Sequence, residues 1–372
     1  MLISRWQLRK TIYGKRDILI YQINQISLVK NISEKYLLDM LIKDRLKTVE
    51  WEVTMGDILK NGEKWFDTEG NVLHAHGGYI LFQDGVYYWY GENRLSNIYV
   101  SCYASTDLIH WEFRNHILTT DSAVQGTRVR ADLSLKNEKG GKVNLERPKV
   151  IYNKKTKKYV LWIHYENGIN YHCAAAAVAT CDTPDGDFVY HGSFRPYGYM
   201  SRDCTLFQDE DGSAYFISAA RENADIHIYK LQEDYLNIAC LANRLWQGEY
   251  REAPAVMKKD GVYYMMTSFC TGWAPNQGKY AYANSMEGEW SMLYKIGDKT
   301  TYNSQPAFIL PLTGEKETQY LYVGDRWGGE AYHESSYIFL PLKNPQKGEL
   351  SLEWYPEVEI DAAAGSIVGR NI

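Results

Sequence analysis

Four polar residues recur at one register of a repeat, each just ahead of a short apolar run. They are Glu146, Asp203, Glu252 and Gln305, and a turn and an aromatic strand follow each of them. Their spacing of roughly fifty residues is typical of repeat architectures. If the repeats close into a ring, three carboxylates and one carboxamide meet in one pocket. Cleaving a glycosidic bond requires a proton for the leaving oxygen and an activated water, which two carboxyl groups usually provide.

Two of these carboxylates are the best candidates for the proton donor and its modulator. Glu252 lies just ahead of an apolar strand, where partial desolvation would raise its pKa and suit it to act as a general acid. Asp203 would tune that pKa by like-charge proximity. The neighbouring Arg202 and Arg251 either hold these carboxylates for catalysis or neutralise them as structural ion pairs. The shared register of the acids favours the catalytic interpretation.

The elements that must position these residues are predicted to be β-strands. Short aromatic or β-branched runs alternate with turn dipeptides such as Asp84-Gly85, Asp211-Gly212 and Asp260-Gly261. Radial repetition of four-stranded sheets is the architecture of a β-propeller. We therefore predict an all-β, five-bladed β-propeller, with units that begin near Gly77, Glu146, Asp203, Glu252 and Gln305.

The chain divides into a short extension and one large domain. Residues 1–48 carry ten Lys and Arg against four Asp and Glu, and an apolar pattern after Ser33 predicts one amphipathic helix. This partly helical or loosely ordered extension either packs on the ring or a partner, or is a stretch upstream of a start at Met55. Residues 49–372 are predicted to form the propeller, which is the catalytic domain.

Composition narrows the classes of partner and compartment. A net charge of −5 argues against nucleic acid, and no apolar run is long enough to predict a membrane span. The six cysteines form no C-x-x-C pair, so we expect free thiols in a reducing compartment. The sequence shows no secretory signal, so we expect a cytoplasmic protein, although the basic extension of residues 1–48 leaves export open. The oligomeric state is not predicted.

Several segments resemble glycoside hydrolase family 43, and most closely its exo-β-1,3-galactanase branch. The resemblance covers roughly residues 60–360, and the element Ala75-His-Gly-Gly together with Ser304-Gln-Pro is its more specific part. The other matching motifs are Trp65-Phe-Asp, Tyr87-Tyr-Trp-Tyr-Gly-Glu-Asn, Glu146-Arg-Pro-Lys, Ser201-Arg-Asp-Cys-Thr-Leu-Phe, Glu252-Ala-Pro and Thr267-Ser-Phe-Cys-Thr-Gly-Trp.

The resemblance implies an inverting, exo-acting hydrolase with Glu252 as the acid and Asp203 as the modulator of its pKa. The family usually has a catalytic-base Asp in the first blade, where this chain has histidines from His74 to His76. In the galactanase branch a Gln matching Gln305 is thought to orient or activate the water, and carboxylates matching Glu92 and Glu146 hold the terminal galactose. A neutral amide is a poor base, so Glu146 stays open as an alternative base.

A second set of residues is expected on the pocket side, where aromatic rings either stack on a sugar or pack between blades. These substrate-binding candidates are Tyr165, Tyr171, Asn223, Thr271, Trp273 and Trp327. No cofactor is required and no metal ligand is assigned, while a structural calcium ion on the propeller axis is left open.

The sequence therefore predicts a glycosidase that releases terminal β-1,3-linked galactose from galactan or arabinogalactan-derived oligosaccharides. Another galactosidase or an arabinofuranosidase of the same family is the alternative among enzymes. The missing first-blade Asp keeps a third interpretation open, a carbohydrate-binding propeller without catalysis.

Overall fold

A computed structural model describes residues 58–315 and 317–371 of the chain. The extension predicted for residues 1–48, with its helix after Ser33, lies outside these residues, and so does its boundary with the predicted domain 49–372. The described residues form strands and two short 3₁₀ turns, which confirms the all-β prediction. No helix in this part of the chain combines the length and apolarity needed to cross a membrane.

The strands form five four-stranded antiparallel sheets and one three-stranded sheet. In chain order the strands are β1 (Ile58–Lys60), β2 (His76–Gln83), β3 (Val86–Glu92), β4 (Ile98–Ser105), β5 (Glu112–Thr119), β6 (Asn144–Asn153), β7 (Lys158–Glu166), β8 (Ala175–Cys181), β9 (Val189–Phe194), β10 (Cys204–Gln208), β11 (Ala214–Ala220), β12 (Asp225–Leu231), β13 (Ile238–Leu245), β14 (Arg251–Lys259), β15 (Val262–Phe269), β16 (Lys279–Ala283), β17 (Tyr294–Lys295), β18 (Gln305–Thr313), β19 (Thr318–Arg326), β20 (Ser336–Lys343), β21 (Ser351–Leu352), β22 (Glu357–Asp361) and β23 (Ser366–Arg370). The two 3₁₀ turns are Pro196–Gly198 and Tyr332–Glu334.

Each four-stranded sheet is built from strands that are consecutive in the sequence, from β2–β5 through to β18–β21. Tight turns make this local pairing possible. Between β2 and β3, and again between β14 and β15, an Asp-Gly pair occupies two successive left-handed positions. Such turns match the twist of paired strands and fix the register of a hairpin. The Asp-Gly signal in the sequence was therefore a sound guide to these two hairpins.

The first strands of the five sheets contact one another in cyclic order. The strands β2, β6, β10, β14 and β18 each contact the next, and β18 also contacts β2. The predicted leading residues lie at the beginnings of these strands, with Asp203 directly ahead of β10 and Gln305 the first residue of β18. Because the contacts between the first strands close into a cycle, polar residues that are far apart in the sequence lie close together.

Three of the first strands share a backbone irregularity at this point. The register shifts directly after His76 in β2, Glu146 in β6 and Glu252 in β14. In each case the following residue adopts a left-handed φ between 51° and 57°. A β-bulge of this kind re-aims a side chain and ends regular pairing. The bulges thus lift Glu146 and Glu252 out of the ordinary alternation of their strands.

The two ends of the described chain meet in the three-stranded sheet. β1 pairs with β22, and β22 pairs with β23. Next to β1, the ring of Trp65 packs edge-on against Phe339 at 4.8 Å between centroids and also contacts Tyr337 and Trp89. These aromatic side chains belong to one buried cluster that joins the first and last four-stranded sheets.

Candidate active site

A cavity of about 340 Å³ opens where the first strands meet. Three carboxylates at the strand beginnings line it together with a fourth from the end of β3, and three arginines lie among them. The lining residues are Glu92, Arg94, Glu146, Arg147, His164, Tyr171, Arg202, Asp203, Asn223, Glu252, Gly272, Trp273, Gln305 and Trp327. The structure therefore brings together all the predicted site residues except Tyr165 and Thr271.

Glu252 is partly buried in this cavity and has the environment of an acid. Burial and then the negative charge of Asp203 raise its pKa from 4.5 to about 7, although the charge of Arg147 works in the opposite direction. Asn223 donates to its Oε2 atom at 3.2 Å, and Gln305 donates to its Oε1 atom at 3.0 Å. A carboxyl group with a pKa near neutrality holds a transferable proton at physiological pH.

Asp203 owes its position to Arg147. A guanidinium nitrogen of Arg147 lies 3.0 Å from Asp203 Oδ2, and Arg147 is almost fully buried. The same guanidinium donates to the carbonyl oxygen of Pro306 at 2.9 Å, and the backbone N–H of Arg147 donates to Glu92. Burial alone would lower the pKa of Arg147, but the surrounding carboxylates, Asp203 first, raise it above its ordinary value.

The carboxamide of Gln305 is held from both ends. Its oxygen accepts hydrogen bonds from Arg147 and from Trp327 Nε1, the latter at 2.7 Å. Its nitrogen donates to Glu252 and to Ser268 Oγ, at 3.0 and 2.9 Å. An amide offers two donor hydrogens and two acceptor lone pairs. All four are engaged by protein groups in this arrangement.

Glu146 and His164 form a buried ion pair on another side of the cavity. Burial by itself would raise the pKa of Glu146, but the hydrogen bond and charge of His164, followed by Arg94 and Tyr171, lower it to about 2. Burial would likewise lower the pKa of His164, but Glu146 and Glu166 raise it to about 9. Glu146 is therefore ionised throughout the physiological range, and the Tyr171 hydroxyl donates to it at 2.7 Å.

Glu92 is enclosed by three donors. Its Oε2 atom accepts from Arg94 at 3.0 Å and from the Tyr332 hydroxyl at 2.8 Å, while its Oε1 atom accepts from the Arg147 backbone. The Arg94 side chain also donates to Glu146 at 3.0 Å, so one guanidinium links two carboxylates. A set of fixed donors and acceptors of this kind is suited to sugar hydroxyls.

Aromatic rings form one wall of the site. Trp327 stacks on Tyr332 at 5.7 Å between ring centroids, and Trp273 meets Trp327 edge-on at 5.5 Å. Trp273 remains 43 % exposed, so part of its ring faces the cavity entrance and is accessible to a ligand. Aromatic faces present apolar surface together with polar edges, and they suit stacking on a sugar ring.

Tyr165 and Thr271 lie outside the cavity lining. Side chains alternate along a strand, so because His164 faces Glu146, the next residue, Tyr165, points into a hydrophobic cluster on the other side. Thr271 donates its hydroxyl proton to the Ala274 carbonyl at 2.6 Å and thereby closes the loop that carries Trp273. Both residues lie in segments that reach the cavity, through His164 and Trp273, but neither side chain lines it.

Arg202 and Arg251 make their hydrogen bonds and ion pairs to groups other than Asp203 and Glu252. Arg251 is buried and donates to Thr267. Arg202 pairs with Glu222 at 2.7 Å and donates to the Tyr171 carbonyl. The arginine that pairs with Asp203 is Arg147, whose side chain is oriented toward Asp203 by the bulge after Glu146.

Sequence reasoning also missed the residues that organise the site. These are Arg94, Arg147, His164 and Tyr332. Three of them carried a usable signal. Arg147 directly follows a leading carboxylate, Arg94 follows Glu92 by two residues, and His164 precedes Glu166 by two residues on the same face of β7. No signal marked Tyr332, because its partner Glu92 comes from another sheet.

Metal ligation has no support in this part of the chain. Among residues 58–315 and 317–371, no group of three or more His, Cys, Asp or Glu side chains is placed to hold a metal ion. Between the first strands β2 and β6 lies instead the fully buried Lys149, whose Nζ atom donates to the Gly77 carbonyl at 2.6 Å.

Comparison with known proteins gives consistent findings. The sequence model of "Glycosyl hydrolases family 43" matches residues 71–307. The exo-β-1,3-galactanase 1,3Gal43A from Clostridium thermocellum has 48% sequence identity and a TM-score of 0.77, over 84% of this chain and 68% of that chain.

Two further solved structures are similar at lower identity. An exo-β-1,3-galactanase from Phanerochaete chrysosporium, solved with β-1,3-galactotriose, has 34% identity and a TM-score of 0.74, over 84% of this chain and 71% of that chain. A family 43 β-1,3-galactosidase, solved with galactodeoxynojirimycin, has 34% identity and a TM-score of 0.72, over 80% of this chain and 99% of that chain. The search of curated proteins found no match.

Proposed function

Because this chain belongs to the glycosyl hydrolases of family 43, we propose that it releases terminal galactose from β-1,3-linked galactan chains or oligosaccharides. The observation that carries the proposal is Glu252, a cavity acid with a pKa raised to about 7 beside the carboxylate of Asp203. The similar solved structures are exo-β-1,3-galactanases and a β-1,3-galactosidase. They indicate galactose as the sugar and β-1,3 as the linkage of the substrate.

We propose that the five four-stranded sheets are the blades of a five-bladed β-propeller, because their first strands contact one another in cyclic order. In such a ring the first strands surround a central axis, and the cavity described above lies at one end of it. The segment from β1 and the last two strands then close the ring from outside.

The reaction is a single displacement with inversion. Glu252 protonates the glycosidic oxygen while water attacks the anomeric carbon from the opposite face and loses a proton to a base. Asp203 keeps the pKa of Glu252 high, and Arg147 holds Asp203 in place. Glu92, Glu146 and Tyr171 face the hydroxyls of the terminal sugar, with Trp273 and Trp327 as its aromatic wall.

Gln305 and Glu146 are the two candidates for the residue that orients the attacking water or accepts its proton, and one observation speaks against each. Gln305 lies 3.0 Å from the acid itself, whereas inverting enzymes separate their two carboxyl groups by about 6.5–9.5 Å. Glu146 is a true carboxylate, but a pKa near 2 makes it a weak proton acceptor. The two candidates are separated by adding azide to the Gln305→Ala and Glu146→Ala variants. Azide attacks without losing a proton, so it is expected to restore turnover only to the variant that has lost the base.

The function is tested with β-1,3-galactobiose and β-1,3-galactan. The wild-type protein is expected to release galactose, and proton NMR of the first product should show the α-anomer. The Glu252→Gln variant should bind galactose and lose most of this activity. Release of arabinose from arabinofuranosides in place of galactose would favour the other enzymatic candidate, and binding of galactose without release would favour a carbohydrate-binding protein.

A further inference from the structure

The orientation of the Gln305 carboxamide is fixed by chemistry. Arg147 and Trp327 Nε1 have only hydrogens to offer, so the amide atom that faces them is the oxygen. The nitrogen must then face Glu252 Oε1, at 3.0 Å, and Ser268 Oγ, at 2.9 Å. Rotating the amide by half a turn would set donor against donor on one side, and it is therefore excluded.

This orientation makes the two oxygens of Glu252 unequal. Oε1 always faces an N–H group of Gln305, so it accepts a hydrogen bond whether or not the carboxyl group is ionised. A proton on Oε1 would compete with that N–H for the same space. The proton of the acid form therefore belongs on Oε2.

Oε2 faces an amide that suits both of its states. Asn223 Nδ2 lies 3.2 Å from Oε2 and donates to it when it is ionised. Asn223 Oδ1 is buried and has no hydrogen-bond partner in the described part of the chain. The two ends of an amide have nearly the same size, so a half turn places Oδ1 at Oε2 without other movement, where it accepts the acid proton.

The backbone at Asn223 supports a specific role for this residue type. Arg221, Glu222 and Asn223 all have positive φ, from 51° to 62°, and Asn tolerates this left-handed conformation better than most residues. The charged or titratable groups that act on Glu252 include Asp203, Arg147, Arg251 and the Cys270 thiol. Burial, and then the charge of Glu252, raise the pKa of that thiol to about 12, so it stays neutral.

We propose that Glu252 protonates the glycosidic oxygen from Oε2, with Gln305 selecting this oxygen and Asn223 orienting its proton. The inference deepens the proposed function and rests on it. When substrate binds, the Oε2–H group turns from Asn223 Oδ1 to the glycosidic oxygen. As the bond between the anomeric carbon and that oxygen breaks, its electron pair stays on the oxygen, which takes the proton from Oε2. Oε2 is left as a carboxylate oxygen, to which Asn223 Nδ2 then donates. Asn223 is a positioning residue that acts through Glu252.

The test compares a substrate that needs protonation of its leaving group with one that does not. Asn223→Gly removes the amide and relieves the left-handed backbone. Its kcat/KM for β-1,3-galactobiose is expected to fall about 100-fold, as for a misplaced catalytic group. For 2,4-dinitrophenyl β-galactopyranoside, whose leaving group departs without a proton, the fall should be far smaller, at most about threefold.

A conservative variant gives a readout that damage to the fold would not move. Asn223→Asp keeps the size and the left-handed preference of the residue, and its carboxylate accepts the proton of Oε2. The added negative charge disfavours ionised Glu252, so the alkaline limb of the pH profile for galactobiose should shift to higher pH.

Glu222→Gly is the matched control, because Glu222 lies in the same left-handed turn, is exposed and is absent from the cavity lining. Equal losses of Asn223→Gly on both substrates, or an unmoved alkaline limb in Asn223→Asp, would overturn the Oε2 assignment. A wild-type protein that cleaves neither substrate would refute the proposed function, and this inference with it.

Discussion

At the scale of single residues, the site depends on charges that set one another's protonation. Asp203 raises the pKa of Glu252, and Arg147 moderates that effect while holding Asp203 3.0 Å away. The sequence predicted the two acids, because both begin a repeat. It did not predict Arg147 as their shared partner, since that contact depends on a bulge in a strand of another sheet. Pairing across sheets is set by backbone geometry, which residue spacing alone does not encode.

Replacing Asp203 by Asn is expected to move the pH optimum downward. The substitution removes the like charge, so the pKa of Glu252 falls from about 7 toward its ordinary value. The acid then loses its proton at lower pH, and the alkaline limb of kcat/KM shifts to lower pH. Measured pH profiles of Asp203→Asn and of the exposed control Asp211→Asn would show this. A limb that stays in place would contradict the role of Asp203.

At the scale of elements, the bulges at the starts of the first strands position the polar side chains. The left-handed residue after the bulge is Gly77 in β2, Arg147 in β6 and Ala253 in β14. The strands themselves followed from turn dipeptides and aromatic runs in the sequence. The bulges did not, because Arg and Ala give no warning of a left-handed conformation.

Gly77 provides a test of this geometry, since a Cβ atom there would lie 2.6 Å from Glu92 Oε1 and 3.2 Å from Arg147 Cδ. We expect Gly77→Ala to displace Glu92 and to lower kcat/KM by about 100-fold. Gly85→Ala is the matched control, with φ of 87° and no atom within 4 Å of its Cβ position. Both variants carry a backbone strain of about 1–2 kcal/mol. Equal activities of the two would refute the steric argument.

His164 connects β6 and β7 by ion pairs to Glu146 and Glu166. Its pKa is about 9 in the folded protein, above the ordinary 6.5, so its stabilising effect is complete below pH 6.5 and is lost as the pH rises to 9. We expect the difference in unfolding free energy between wild type and His164→Gln to shrink over this interval, by about 3 kcal/mol at most. Urea unfolding at several pH values measures it. A difference independent of pH would contradict the buried charge.

At the scale of the whole molecule, stability depends on the joint between the first and last sheets. Trp65 is buried there against Phe339 and Tyr337 and donates from Nε1 to the Lys60 carbonyl at 2.9 Å. Trp65→Ala should cost about 3–5 kcal/mol of unfolding free energy. Its neighbour Phe66 is 54% exposed, so Phe66→Ala should cost far less. Similar midpoints of urea unfolding for both variants would show that the joint does not limit stability.

The repeat in the sequence was a good predictor of the molecule as a whole, because one register constrains every unit at once. Five units predicted from the register correspond to five four-stranded sheets. It gave no sign that the chain's two described ends share a sheet. β1 is only three residues long, and its partner β22 lies almost the whole described chain away.

That shared sheet has a consequence for how the protein is made. On a ribosome that adds roughly 5–20 residues per second, β1 appears tens of seconds before β22 is synthesised. During this interval β1 has an unpaired edge, because its partner β22 is not yet available. The rate of translation, and any chaperone that shields the nascent chain, therefore set how long this early segment stays open to wrong pairing.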